Sequence, residues 1–115
     1  MKPARLALLL IATLCATAVH AQQHPTKPIR FIVGFPPGGT SDILARFVAP
    51  PLWAALGQPV VVDNRPGAGG ITGTSVVTGS SDDHLFVMGS TSMTILPALR
   101  KDLPYDPQRD LKPVG

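Results

Sequence analysis

The residues best suited to chemistry in this sequence form a glycine-rich turn between a short apolar run and a helical pattern. The apolar run from Ile29 to Phe35 predicts a strand, which Pro36 and Pro37 end because neither has an N–H to donate. Gly38 and Gly39 allow the backbone to approach a ligand closely. The helix that follows can be capped by Thr40, Ser41 or Asp42. Such a strand, turn and helix start directs unpaired backbone N–H groups at an anion.

The same arrangement occurs twice more along the chain. A second strand is predicted at Pro59 to Val62, and a turn rich in proline and glycine follows from Asp63 to Gly70. A third strand is predicted at His84 to Gly89 and leads into a run of hydroxyl residues. Each turn alone is better explained as a tight turn or a helix cap than as a ligand site. Three of them on one sheet edge favour capture of a small anion. The candidate donors are Gly38, Gly39, Thr40 and Ser41, then Ala68, Gly69 and Gly70, then Ser90, Thr91 and Ser92.

No set of residues in the sequence matches a catalytic or metal-binding pattern. The chain has no Glu, and its three histidines, His20, His24 and His84, form no motif. We expect His84 to be a surface or sheet-edge histidine, and Asp82 and Asp83 to be a solvated loop pair. Neither glycine turn is followed by the Lys of a phosphate-binding loop, and no serine lies in a nucleophile elbow. The sequence therefore predicts no enzyme, no metal site and no cofactor.

The remaining pattern places helices between the strands. Apolar residues at three- and four-residue spacing predict the buried face of a first helix, formed by Ile43, Leu44, Phe47 and Val48. Pro50 and Pro51 predict a kink or a restart in this helix, Trp53 is predicted to pack in the core, and Gly57 is a predicted C-cap. The segment after Gly70 predicts only a weak helix, because glycines and β-branched residues are poor helix formers.

A short third helix is predicted at Ile95 to Leu99, followed by a loop and by the lead-in to a fourth strand at Leu111 to Gly115. Alternating strands and helices predict an α/β fold, in which a parallel sheet with flanking helices is joined by right-handed crossovers. The three turns would then lie together at the carboxyl edge of the sheet, where ligands bind in such folds.

The N-terminal residues predict a secretory signal peptide. Lys2 and Arg5 precede an uncharged apolar segment, Leu6 to Val19, and small residues allow cleavage after Ala21. The apolar segment is shorter than the roughly 20 residues that a membrane span needs. Loss of Lys2 and Arg5 lowers the formal charge from +3 to +1, which gives no support for nucleic-acid binding. The predicted organisation is a signal peptide at residues 1–21 and one exported unit at residues 22–115.

Three motifs, spread from Arg30 to Val114, span nearly the whole exported unit. They are RFIVGFPPGGTSD from Arg30, LGQPVVVDNRPGAGG from Leu56 and LPYDPQRDLKPV from Leu103. In residues, order and spacing they resemble the solute receptors of tripartite tricarboxylate transporters, the Bug receptor family. The resemblance implies a type II periplasmic binding protein fold, of which this chain holds only the first part of domain 1.

The resemblance also implies a function and a set of ligand contacts. Receptors of this family close around a small carboxylate solute in the periplasm and deliver it to membrane permease subunits, without catalysing a reaction. By the same resemblance, Arg65 has a structural role beside the second turn. The implied contacts are Phe35, Pro37, Gly39, Thr40 and Asp42 in the first turn, Ala68 and Gly70 in the second, and Ser90, Thr91 and Ser92 in the third.

Two other interpretations of the sequence stay open. Members of the family are much longer than this chain, which leaves a non-functional fragment as one alternative. The other is an exported hydrolase or transferase that uses the first glycine turn as an anion hole. Missing His, Glu and Cys partners make the second alternative the weaker one.

Overall fold

The three apolar runs form one parallel sheet. In the computed structural model, which describes residues 24–114, the strands are β1 (Ile29–Val33), β2 (Val60–Asn64) and β3 (Leu85–Val87). The strand order is β2-β1-β3, and both neighbours run parallel to the central β1. The register pairs Val33 with Asn64 and Ile32 with Val87. The predicted parallel sheet is confirmed, and the loops that follow the three strands leave the same edge. The predicted signal peptide lies outside the described residues.

Four helices and one short turn of 3₁₀-helix complete the described part of the chain. They are α1 (Thr40–Leu56), the 3₁₀ turn (Ala68–Gly70), α2 (Ile71–Thr78), α3 (Thr91–Leu99) and α4 (Pro107–Asp110). The third helix begins earlier than the sequence pattern predicts, and α4 falls in a predicted loop. No strand forms at residues 111–114, where the pattern predicts the lead-in to a fourth. Within residues 24–114 no helix combines the length and the apolar character that crossing a membrane requires.

The strand ends differ from the prediction because pairing, not hydrophobicity, sets them. β1 ends at Val33, two residues before the predicted end at Phe35. β2 extends past the apolar run to include Asp63 and Asn64, which pair with Ile32 and Val33 of β1. A polar residue at the end of a strand keeps its backbone hydrogen bonds while its side chain leaves the sheet. The longer β2 therefore places two polar side chains at the carboxyl edge.

Both faces of the central strand are covered. Ile32 and Val33 are fully buried, and neighbouring residues of a strand point to opposite faces. On one face, Ile29 and Val60 pack with Ala49 of α1. On the other face, α2 packs against β1 and β3. The result is a three-layer unit in which the middle layer carries the loops at one edge.

The predicted buried face of α1 is wrong. Ile43, Leu44, Phe47 and Val48 are exposed, and Phe47 exposes 78% of its surface. The buried positions are Asp42, Ala45 and Ala49. These small residues recur at helical spacing and let the helix lie close to the sheet, whereas the sequence argument gives weight only to large side chains. The large apolar residues form a second stripe that nothing covers within residues 24–114.

Two further expectations for α1 are also wrong. Trp53 is not in the core, since 53% of its surface is exposed. The helix does not restart at Pro51, since one helix runs from Thr40 to Leu56. Both prolines lie on the exposed side, where water can bond the carbonyl groups that they leave without a partner. The predicted C-cap is confirmed, since Gly57 adopts a left-handed φ of 69° and donates its N–H to Trp53 O.

The helix α2 forms despite its weak propensity because close packing requires its glycine. A Cβ added at Gly73 would lie 2.8 Å from Gly34 Cα, at the end of β1. A Cβ added at Gly34 would in turn lie 2.9 Å from Gly70 Cα. Thr74 is buried and donates its hydroxyl to Gly70 O at 2.9 Å. Tertiary contact with β1 thus outweighs the poor helix propensity of this segment.

The segment before β1 is fastened to the loop before β3. Thr26 donates its N–H to Nε2 of His84 at 3.2 Å, and Lys27 Nζ lies 2.9 Å from an Asp82 carboxylate oxygen. Nδ1 of His84 contacts the Asp83 carboxylate. His84 is therefore buried, with 4% of its surface exposed, at the start of the edge strand β3. Of the two expected positions, the surface is wrong and the sheet edge is correct. Asp82 is half-buried and Asp83 is exposed, so the two aspartates are the predicted solvated loop pair and also partners in this fastening.

The glycine contact predicts the sign of a substitution in α2. Gly73→Ala would raise helix propensity, yet its new Cβ would press on the backbone of Gly34, which cannot rotate away. We expect a net destabilisation of about 1–3 kcal/mol, measured as the free energy of unfolding in urea. The control is Gly39→Ala, where φ is −76° and the nearest atom is Pro36 O at 3.5 Å. Equal stability of the two variants would contradict the packing account.

Candidate functional site

The three loops at the carboxyl edge of the sheet lie against one another. We call residues 34–39 the first loop, residues 65–70 the second loop and residues 88–90 the third loop. A Cβ at Gly70 of the second loop would lie 3.5 Å from the Phe35 ring of the first loop. The helix α3, which follows the third loop, contacts the Ala68–Gly70 turn. The rim formed by the three loops, together with the first turns of α1 and α3, therefore contains every predicted ligand contact.

The first loop ends at a helix start with free amides. The N-cap of α1 is Gly39, without a side-chain cap, so the prediction of a cap by Thr40, Ser41 or Asp42 is wrong. Two predicted donors are already engaged: Gly38 N–H donates to Asp42 and Gly39 N–H to Pro36 O at 3.4 Å. The N–H groups of Thr40 and Ser41 find no acceptor among residues 24–114. These two amides, at the positive end of the helix dipole, are the donors that the first loop offers an anion.

Asp42 is the most highly connected polar side chain of the rim. Its carboxylate accepts hydrogen bonds from Gly38 N–H at 2.9 Å, from Asn64 Nδ2 at 2.9 Å and from Arg46 Nε at 3.0 Å. Only 3% of its surface is exposed. The hydrogen bonds from Arg46, Gly38 and Asn64 lower the pKa of Asp42 to about 2, because they stabilise the charged carboxylate. Asp42 thus stays ionised and holds the first loop to α1 and to β2.

The second loop is a run of left-handed backbone. Ala68, Gly69 and Gly70 have φ values of 49°, 67° and 98°. Arg65 N–H donates to Val33 O at 2.7 Å, and Gly70 N–H donates to Gly67 O at 3.0 Å. The amides of Ala68 and Gly69 have no acceptor in the described part of the chain. Consecutive free amides in a turn form a concave anion site. The free donors of the second loop are therefore the amides of Ala68 and Gly69, and not the amide of Gly70.

The charge of Arg65 is held in an ion pair with Asp63. Its guanidinium pairs with Asp63, with Nε 3.1 Å from the carboxylate, and Asp63 also binds Arg30 of β1. Register and side-chain alternation put these three residues on the sheet face opposite Asp42. The cation is therefore committed to an ion pair that links β1, β2 and the start of the second loop.

The third loop offers hydroxyl groups at the start of α3. Ser90 is the N-cap residue, but its hydroxyl caps no backbone N–H, and Met93 N–H donates to Ser90 O at 3.0 Å instead. Thr91 is exposed, and Ser90 and Ser92 are half-buried. None of these three hydroxyls has a side-chain hydrogen bond within residues 24–114. They remain available as donors to a ligand at the rim.

Asp82, Asp83 and His84 lie close enough together to suggest a metal site, since one ligand atom from each falls within 4.8 Å of the others. A metal on Nδ1 of His84 would require the proton on Nε2. Nε2 already accepts the N–H of Thr26, and two donors cannot face each other. The hydrogen bond therefore places the His84 proton on Nδ1, facing Asp83, and favours a structural fastening over a metal centre.

The sequence argument misses two residues that are important to the rim. It places Asn64 in a loop and gives Arg46 no role, yet both bond Asp42. Arg46 has one sequence signal, since it follows the acid Asp42 by four residues, which is the spacing of an ion pair on a helix. The contact between Asn64 and Asp42 joins residues 22 positions apart and has no local signal.

Comparison with known proteins places this geometry in a family. The family model described as tripartite tricarboxylate transporter family receptor matches residues 44–115. Among curated relatives, BugT of Bordetella pertussis is 44% identical over 103 residues, which are 87% of this chain and 32% of BugT. A UPF0065 protein of Bordetella bronchiseptica is 41% identical over 92% of this chain and is likewise covered over 32% of its length. The chain thus spans about a third of the length of these relatives.

Solved structures share the fold. A structure described as a periplasmic transporter is 46% identical and superposes with a TM-score of 0.76, over 80% of this chain and 32% of its own. MatC from Rhodopseudomonas palustris, solved with bound malate, is 28% identical with a TM-score of 0.66, over 78% of this chain and 31% of MatC. The parallel sheet with flanking helices therefore matches about a third of a periplasmic binding protein fold.

The Asp42 network predicts a specific acid sensitivity. Because the folded pKa of Asp42 is about 2 and its ordinary value is 3.8, its contribution to stability is complete above the ordinary value. That contribution is lost as the pH falls from about 4 towards 2. We expect the urea midpoint of the wild type to fall more steeply over this range than that of Asp42→Asn. The control is Asp102→Asn, which alters an exposed ion pair with Arg100. Parallel curves for wild type and Asp42→Asn would contradict the prediction.

Proposed function

This chain belongs to the tripartite tricarboxylate transporter receptor family, and from that premise we propose that it captures a small carboxylate in the periplasm. The observation that carries the proposal is the rim of three loops on one sheet edge, with free donors from each. The first loop supplies the amides of Thr40 and Ser41, and the second supplies those of Ala68 and Gly69. The third loop supplies hydroxyl groups. Together these donors match a ligand that has several acceptor oxygens.

The charges near the rim agree with recognition by neutral donors. Arg46 is bound to Asp42, and Arg65 is bound to Asp63, so neither guanidinium is left to form a bidentate pair with a ligand. A carboxylate held only by amides and hydroxyls is bound less tightly than one clamped by arginine. Such a site suits a receptor that must release its solute unchanged.

The ligand contacts implied by the resemblance are part of the proposal and take different roles. Phe35, Pro37 and Gly39 form part of the first loop, and Thr40 donates an N–H. We assign Asp42 to holding the loop, since its oxygens are occupied. The remaining contacts are in the second and third loops: Ala68, Gly70, Ser90, Thr91 and Ser92.

The class of solute is supported by a relative. MatC was solved with bound malate, a small dicarboxylate, and shares this fold. We therefore propose a di- or tricarboxylate, or a related organic acid, as the solute. In a complete receptor this rim would form one wall of the binding cleft, and permease subunits in the membrane would receive the solute. Residues 22–115 would be the exported part, after cleavage of the signal peptide.

Binding of a carboxylate should raise the melting temperature of the chain, because the ligand binds the folded state alone. We expect malate or citrate to produce a dose-dependent shift, and the dimethyl ester of malate to produce none. The measurement is a thermal melt followed by circular dichroism at increasing ligand concentration. If no carboxylate shifts the melt of the folded chain, residues 22–115 do not bind by themselves and the fragment interpretation is favoured.

Thr40→Pro tests the donor at the helix start. Proline at the first helical position keeps the helix but removes the N–H, and the extended Gly39 before it, with ψ of 167°, accommodates the ring. Loss of a hydrogen bond to a charged group costs about 1.5–3 kcal/mol, so we expect malate affinity to fall at least about tenfold. Thr40→Ala keeps the N–H and is the matched control. Equal affinity of Thr40→Pro and Thr40→Ala would exclude this amide as a contact.

A further inference from the structure

The Phe35–Gly38 segment of the first loop is hydrogen-bonded at each end to a side chain, and these two side chains also bond each other. Asn64 Nδ2 donates to Phe35 O at 3.1 Å and to Asp42 Oδ1 at 2.9 Å. Gly38 N–H donates to Asp42 Oδ2 at 2.9 Å. The loop that contains Pro36 and Pro37 is thus bonded to the end of β2 as well as to its own helix.

Arg46 closes this network from the side. Its Nε lies 3.0 Å from both carboxylate oxygens of Asp42, and its Nη2 donates to Asn64 Oδ1 at 3.1 Å. Each oxygen of Asp42 then receives two donors, and the oxygen and nitrogen of the Asn64 amide are both engaged. Asp42 has no lone pair left for a ligand, and its charge is compensated by Arg46.

Asn64 also connects the first loop to the second. It is the last residue of β2, and Arg65, which follows it, donates its N–H to Val33 O at the end of β1. The two loops are therefore held together by two hydrogen bonds that adjacent residues at the end of β2 donate, one to the end of β1 and one to the first loop. A displacement of the β2 end would move both loops of the rim.

We propose that Asn64 and Arg46 are positioning residues of the ligand site, acting through Asp42. Asn64 holds the first loop at the distance from the second loop that a bound carboxylate requires. Arg46 cancels the negative charge of Asp42, which would otherwise repel an anionic ligand at the adjacent helix start. The proposal rests on the function proposed above and assigns it two residues that touch no ligand.

The test for Asn64 compares two amide truncations at opposite ends of β2. Asn64→Ala removes the donor to Phe35 and Asp42, and Gln58→Ala removes a half-buried amide just before β2. We expect Asn64→Ala to weaken malate binding at least about tenfold and Gln58→Ala to change it by less than about twofold. Amide exchange measured by NMR should show faster exchange of the Gly38 N–H in Asn64→Ala alone. Equal affinities of the two variants, or unchanged protection of Gly38, would overturn the proposal.

The two readouts separate this proposal from the proposed function. If the wild type binds neither malate nor citrate, the function fails for this chain, and exchange of the Gly38 N–H alone decides the positioning role. Should Asn64→Ala not fold, Asn64→Asp keeps the shape and places two carboxylates together. We expect it to lose protection of Gly38, and the double variant with Asp42→Asn to recover protection, because an acid again faces an amide. Absence of recovery would count against the proposal.

The test for Arg46 uses salt. Arg46→Gln leaves the Asp42 charge uncompensated, so its malate affinity should be lowest in low salt and should approach that of the wild type as salt screens the repulsion. Arg109→Gln, which breaks an exposed pair with Asp110, is the matched control and should follow the wild type at every salt concentration. A loss of affinity in Arg46→Gln that is independent of salt would refute the charge-compensating role.

Discussion

The structure depends on one contact between backbones, at the point where β1 ends. Gly34 lies so close to Gly70 and Gly73 that a methyl group on it, or on Gly73, would meet a Cα within 3 Å. This approach seats α2 on the sheet and brings the second loop against the first. Without it, the free amides of the two loops would lie further apart, and the rim would lose its shape. These glycines are therefore required mainly because they have no side chain where the two backbones meet.

A buried charge supplies the second constraint. Asp42 is placed under the first loop by α1, and it is stabilised there by donors from its own helix, from the loop and from β2. A buried carboxylate without such partners carries a large desolvation cost, so the network must form whenever the fold forms. Under the proposed function, a loop held by these bonds is already ordered before a ligand arrives, so that little free energy is spent on ordering it.

The large apolar stripe of α1 shows a different relation between sequence and structure. Phe47 and Trp53 carry much of the hydrophobic pattern of the helix, yet both are exposed in the described residues. The helix is held to the sheet by small residues instead, as Ala45 and Ala49 show. The chain covers about a third of the relatives that it matches, and stripes of this kind are typical of surfaces that other parts of a protein cover.

The sequence alone determined the order of the three strands and the first three helices, the parallel sheet and the common edge of the three turns. These features follow from short-range rules: apolar period, proline and glycine positions, and the geometry of parallel crossovers. The family followed from the resemblance of three motifs. Only the tertiary structure decided which stripe of α1 is buried, that β2 continues through Asn64, and that α2 is stable around Gly73. Each of these depends on residues far apart in the chain, such as Asp42 and Asn64, 22 positions apart. Local spacing sets the backbone conformation of a segment, but the partner of a side chain is chosen only when the segments pack.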